Sequence, residues 1–415
     1  MEAEKNVGIE VYITPTPGMG GQIKVDPEDF YVEEIAEIDC KGQNYAVIRV
    51  KKKNWDTIRL AKEIAKSLGI SRSRVSFAGT KDKRAVSIQY FSIYNVKKED
   101  IEKISIKDVE IEFVGYSNRP IQLGDLLGNQ FKIKVVNCRD GEIFEKTLES
   151  LKELGTPNFF GLQRFGSTRF ITHEVGKLIL QGKYEEALWS YVAKPFALEN
   201  DEIKKIREDL WNSRDAKMGL KLLPKHLTYE RSLLQSLREG KNELQALLSL
   251  PKNLKMMFIH AYQSYIYNRL LSERIREFGT LKEIFEGDFA SYLTFEKSKP
   301  TFLDYSEVTS INKNRVKRLL SERFAALALP LVGYQTKLEG WNRMALEMLA
   351  EDNLDLSSFR HEVKEFSSPG TFREADMLIE ISEIKFDSGN FSFYLPKGCY
   401  ATTLLREFLK VPGLA

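Results

Sequence analysis

FAGTKDKRAVSIQYFS, residues 77–92, places one carboxylate, Asp82, between Lys81 and Lys83 on a glycine turn and follows it with a strand-like run. In that run Val86, Ile88 and Tyr90 alternate with Ser87 and Gln89, the period of a pleated strand, so the loop is anchored to a sheet and its side chains have rigid support. Gly79 is expected to supply backbone angles closed to other residues. An acid ringed by bases is either a solvated turn or a carboxylate whose charged form the lysines favour, ready to act as nucleophile or general base. Residue type alone does not separate the two.

Outward from this stretch, Gln22 to Val25, Phe30 to Ile35, Tyr45 to Val50, Val109 to Val114 and Phe131 to Val136 are further runs of β-branched and aromatic residues. One helix interrupts them: Asn54 is positioned to cap it, Ala61, Ile64, Ala65 and Leu68 form its apolar stripe, and Gly69 stops it. After about residue 170 the character changes to charged helical segments, including Glu199 to Trp211 and a long amphipathic stretch from Leu254 to Arg276. Strand patterns return at Met377 to Ile384 and Phe391 to Leu395, and Ala401 to Leu409 reads as a closing helix. The pattern predicts one sheet domain built from both ends of the chain around an insertion.

With 415 residues, 42% hydrophobic and 29% charged, the chain is long enough for two or more folded domains. No apolar run approaches the roughly 18 residues of a membrane span, and the polar start MEAEKNVGIEVYITPTPG carries no leader pattern, so a cytoplasmic protein is expected. Cys40, Cys138 and Cys399, and His173, His226, His260 and His361, are too scattered for a disulfide framework or a metal-ligand cluster. The net charge is only +3, but residues 51–84 hold 11 Lys or Arg against Asp56, Glu63 and Asp82. Such a stripe suits phosphate neutralisation or a solvated helix face. GMGG at 18–21 is not followed by the lysine of a phosphate loop.

A second unusual stretch is PNFFGLQRFG, 157–166, whose aromatic faces beside amide groups suit stacking on a splayed-out base and reading its edge, or plugging a domain junction. KVDPEDFYVEE, 24–34, puts Lys24 before a proline turn and Phe30 at a strand entrance, while LPKGCYATTLLRE, 395–407, sets Tyr400 beside a glycine turn and Arg406 on the helix after it.

Together GTKDKRAVSIQ, NFFGLQRFG, IKVDPEDFYVEE and LPKGCYATTLLRE, spread across nearly the whole chain, resemble the motifs of the TruD family of pseudouridine synthases, with supporting matches in RPIQLGDLLGNQF (119–131) and IHAYQSYIYNRLLSE (259–273). The resemblance implies isomerisation of uridine to pseudouridine in tRNA, most familiarly at position 13, with no cofactor and no metal. It maps the family's nucleophile, the aspartate of GxKDxxAxxxQ, onto Asp82. Lys24, Phe30, Asn158, Phe160 and Tyr400 fall on positions around the uridine, Phe160 in the stacking role; position 400 is more often phenylalanine in the family. By analogy with the arginine of the wider synthase superfamily, Arg406 is expected to pair with Asp82, with Lys24 the alternative. Gln163 and Gln89 are expected to support the site from behind. Lys51, Lys52, Lys53, Arg72 and Arg74 are expected phosphate contacts, so replacing Lys51 to Lys53 by alanine should flatten the salt dependence of RNA binding.

The implied fold is α+β: a synthase domain with a mixed sheet from residues 1–184 and 371–415, and an inserted α/β domain over 185–370. A monomer that acts on tRNA, away from membranes, is expected. A non-catalytic RNA-binding or tRNA-folding relative is the alternative, disfavoured because a binder needs no carboxylate facing an anionic ligand.

Overall fold

A computed structural model describes residues 2–139, 141–166, 168–296, 299–302 and 305–414. Its strands are β1 (Phe30–Ile35), β2 (Tyr45–Lys53), β3 (Val75–Phe77), β4 (Val86–Tyr94), β5 (Val109–Ser117), β6 (Gly128–Lys134), β7 (Phe289–Glu296), β8 (Lys299–Phe302), β9 (Ser306–Glu307), β10 (Ala325–Leu331), β11 (Thr371–Glu374), β12 (Lys385–Asp387) and β13 (Asn390–Pro396). The first sheet runs β12-β13-β6-β1-β4-β2-β5 with β3 on β4, and the second runs β11-β10-β7-β8 with β9 on β7. The first sheet is mixed, because β1 and β4 are parallel while β1 and β6 are antiparallel. It is therefore closed by strands from opposite ends of the chain, β13 lying against β6 in the register Gly128↔Pro396.

Cross-strand partners share a face, so the register Lys52↔Ser87↔Val32↔Phe131↔Phe393 traces one face across five strands. All five residues are buried. The helix Thr57–Ser67 covers one end of this face with Leu60, Ala61, Ile64 and Ala65, packed against Ile48, Val50 and Phe91. Leu60, Ile64, Ile48 and Val50 each contribute about 1.5–3 kcal/mol when fully buried. The helices Gly141–Leu154 and Ala401–Leu409 cover the other end, where Phe144 stacks on Phe386 and Phe408 at centroid separations of 5.3 and 5.2 Å.

Local departures from the sequence pattern have specific causes. The helix Thr57–Ser67 is capped by Asp56, whose carboxylate accepts from Arg59 N at 2.8 Å, whereas Asn54 adopts the left-handed region at φ 60° before the helix begins. Residues 22–25 form no strand; Gln22 makes one bridge to Val136, and the chain then turns through a left-handed Lys24. Met377 to Ile384 is not a strand either. The Asp376 carboxylate accepts from Thr156 N and Leu378 N, and Leu378 takes φ 45°, which bends the backbone out of any ladder. β11, at 371–374, pairs with β10 of the second sheet, so that sheet extends past the expected limit of the insertion at residue 370.

Candidate active site

The loop between β3 and β4 is fastened from below at four points. Gln89 Nε2 donates to Gly79 O at 3.1 Å, and Thr57 Oγ1, itself bonded to Gln89, accepts from Lys81 N at 3.0 Å. Lys81 Nζ meets Glu34 Oε2 at 2.6 Å with both side chains out of solvent. The buried Lys52 ammonium donates to Trp55 O at 2.6 Å and to Asp82 O at 3.3 Å. Burial pulls the Lys52 ammonium down to about 8, the charges of Asp56 and Asp82 resisting that fall. Gly79 itself has no left-handed backbone and open space where a Cβ would stand, so its predicted conformational role is not used.

So held, the loop presents the Asp82 carboxylate to a cleft of about 220 Å³ lined by Phe30, Phe131, Asn129, Gln163 and Tyr400. Lys24 Nζ pairs with Asp82 Oδ2 and lies 4.2 Å from the centre of the Phe30 ring. Gln163 Nε2 donates to Asp82 Oδ1 at 2.8 Å. Lys24 reaches the carboxylate from a left-handed backbone at φ 58°, uncommon for a residue with a side chain and the kind of local strain that gathers at functional sites.

Of the two cations expected to serve Asp82, Lys24 occupies the place. Arg406 is directed elsewhere: it is 2% exposed, donates to Val11 O at 2.7 Å, lies 3.5 Å from Glu4 and from Glu407, and stacks 3.7 Å from the centre of the Tyr12 ring. It ties the N-terminal segment to the closing helix. Tyr400 caps that helix on the cleft wall, edge-on to Phe160 at 6.4 Å. The backbone of Phe160 is clamped both ways by the Asn268 amide at 2.9 and 3.0 Å. Asn158 is buried and turned to β11, giving Nδ2 to Glu374 O and receiving Arg373 Nη2 at 2.7 Å.

The expected phosphate contacts are distributed differently. Lys52 faces into the protein, as described, and cannot meet a phosphate. Lys51 and Lys53 alternate with it along β2 and so point from the opposite face of the sheet to Asp82; they pair with Glu110 and Glu28. Arg72 donates to Val75 O, and Arg74 holds Tyr94 O and Asn95 O at 2.5 and 2.6 Å.

The family description tRNA pseudouridine synthase D (TruD) matches residues 6–408. A relative from Archaeoglobus fulgidus named "Probable tRNA pseudouridine synthase D" is 67% identical over 98% of this chain and 99% of its own, and one of the same name from Methanosarcina barkeri is 40% identical over 100% and 98%. A crystal structure of a TruD chain from Methanosarcina mazei superposes with a TM-score of 0.82 at 37% identity, covering 100% of this chain and 99% of that one.

The chain belongs to the TruD family.

Within this TruD chain, two residues at the site are not singled out by the sequence reading. Arg373 stacks its guanidinium 4.1 Å from the centre of the Phe160 ring and donates to Gly398 O at 2.7 Å. It thus joins the 157–166 loop to the turn before Tyr400, a turn that needs its glycine because Gly398 sits at φ 87°. The second, Asn129, was visible only inside a longer matching stretch. Among the described residues no helix is long and apolar enough to cross a membrane, and no group of three His, Cys, Asp or Glu side chains is gathered to hold a metal.

Proposed function

We propose that this protein isomerises uridine to pseudouridine in tRNA, at position 13, with Asp82 as the reacting carboxylate and no cofactor. The observation that carries the reading is the Asp82 carboxylate itself, held by Lys24 and Gln163 at the mouth of an aromatic-lined cleft whose supporting loop is fastened at four points.

The chemistry asks for little else. The C1′–N1 bond breaks with its electron pair remaining on the base, the detached uracil turns while retained, and C5 bonds to C1′. C5 then loses a proton and N1 gains one, so the product is an isomer and no redox partner is needed. One carboxylate serves either by attacking C1′ or by removing the 2′ proton to give a glycal, and both routes begin from an anionic Asp82. Lys24 compensates that charge. Phe30, Phe131 and Tyr400 give the cleft flat apolar walls on which a free base can turn. Lys24 and Phe30 act at the cleft, while Asn158 and Phe160 position its wall through Arg373 and Asn268. The catalytic part comprises the ends of the chain, 1–184 and 371–415, and the segment 185–370 forms the insertion, β11 being shared between them. The protein works as a monomer in the cytoplasm.

Unmodified tRNA transcripts incubated with the parent and with Asp82→Asn, then treated with carbodiimide and read by primer extension, test the reading. A stop at position 13 with the parent that vanishes with the variant, while both bind tRNA, is the expected result. Binding by both proteins with no stop anywhere overturns it in favour of a non-catalytic tRNA-binding role.

A further inference from the structure

Asn129 lies on β6 between Glu34 of β1 and Leu395 of β13 and lines the cleft two residues before Phe131. Its Oδ1 is buried with no hydrogen-bond partner, and its Nδ2 makes no hydrogen bond among the described residues either. The neighbouring polar group on β1, Glu34, is already taken by Lys81. A buried amide oxygen left without a partner is uncommon because it forfeits its hydrogen bonds to water without replacement. Here it sits in the wall of the space that faces the Asp82 carboxylate.

Uracil presents N3–H between two carbonyls, O2 and O4, and a side-chain amide matches that edge with one acceptor and one donor. The isomerisation adds a constraint. A half-turn of the free base about its N3–C6 axis exchanges N1 with C5 and O2 with O4 but leaves N3–H where it was. A residue that accepts from N3–H and donates to the adjacent carbonyl therefore makes the same pair of bonds before and after the turn.

We propose that Asn129 is the residue that recognises the uracil edge and retains the base through its rotation, Oδ1 accepting from N3–H and Nδ2 donating to O4 in the substrate and to O2 in the product. The inference rests on the synthase reading above. It also supplies discrimination against cytosine, which carries no hydrogen on N3 and would leave Oδ1 facing a lone pair.

The test uses tRNA transcripts carrying either uridine or N3-methyluridine at the position the parent protein modifies, with product formation and tRNA affinity measured for the parent, Asn129→Ala and Asn129→Ser. Methylation should slow the parent by about 10- to 100-fold, the scale of a lost polar contact in a closed site. Asn129→Ala should lose a similar factor on uridine, bind tRNA as the parent does, and show a methylation penalty below about threefold, because the two changes remove one interaction. Asn129→Ser, whose hydroxyl falls short of the base, should behave likewise and provides the comparison if the alanine variant does not fold. A methylation penalty as large in the folded variants as in the parent overturns the assignment. Absence of product from the parent on uridine-containing tRNA would instead sink the synthase reading on which it rests.

Discussion

Gln163 and Asp82 are joined at 2.8 Å through Gln163 Nε2 and Asp82 Oδ1, the carboxylate oxygen that Lys24 does not hold. Both oxygens of the Asp82 carboxylate are therefore engaged, one by an ammonium and one by an exposed amide at the rim. Gln163 fixes the plane of the carboxylate. Gln163→Ala should lower kcat by about 10-fold, the scale of one hydrogen bond to a charged group, with KM for tRNA nearly unchanged. Gln163→Glu should lower it further, because a second carboxylate would face the first. Single-turnover rates that are the same for all three proteins would show that the contact does not orient Asp82.

Lys24→Met removes the cation from Asp82 and from the face of Phe30. A loss of about 100- to 1000-fold in kcat is expected, the range for removing one preorganised electrostatic contact from a reacting site. Lys24→Arg should not restore the rate, since a planar guanidinium does not replace a compact ammonium between a carboxylate and a ring. Rate and tRNA affinity measured together decide this: a defect confined to affinity would make Lys24 a phosphate contact.

Lys52 ties folding to pH. Its ammonium, held at about 8 in the folded protein against an ordinary value of 10.5, costs about 3 kcal/mol when charged. Below about pH 8 folded and unfolded chains both carry the proton and the cost is complete. Between about 8 and 10.5 the unfolded chain retains a proton that the folded one has released, so the cost fades as pH rises, and above 10.5 neither state is charged. Lys52→Met lacks this term, so the stability of the parent relative to the variant should grow between pH 7 and pH 10. Urea unfolding at both pH values measures it, and an unchanged difference would contradict the assignment.

Arg373→Lys should lower kcat although the charge is conserved. The guanidinium stacks on Phe160 and bonds Asn158 Oδ1 and Gly398 O through one nitrogen, a planar arrangement that an ammonium does not reproduce. The effect should appear as a lower rate with intact tRNA binding. A variant with parental kcat would remove Arg373 from the support of the cleft.

Lys51→Ala combined with Lys53→Ala should leave the slope of log affinity against log salt close to that of the parent. Both side chains are paired with carboxylates and lie on the sheet face away from Asp82. A slope reduced by about 2 would place both on phosphates after all.

The Asp82 loop, the strand after it, the long helix and the closing helix were legible because each declares itself over a few consecutive residues through period and punctuation. Lys24 was legible only as one of two candidates, since choosing between it and Arg406 requires knowing which of two distant segments folds towards the loop. Periodicity misplaced residues 377–384 because a single carboxylate, Asp376, captures two backbone amides there. The run of lysines at 51–53 read as one patch, yet a strand sends neighbours to opposite faces, and only the register shows that Lys52 is the inward one. Arg373 left no trace because its partners are 215 and 25 residues away.

The pairing of β13 with β6 gives the protein a particular order of assembly. Asp82, Lys24 and Gln163 all precede the insertion along the chain, but the cleft wall bearing Tyr400 follows β13, on the far side of it. Pairings between such distant segments form slowly. A chain emerging from the ribosome therefore presents Asp82 before the wall that carries Tyr400, and the cleft around that carboxylate is complete only once β13 and the helix after it have joined β6.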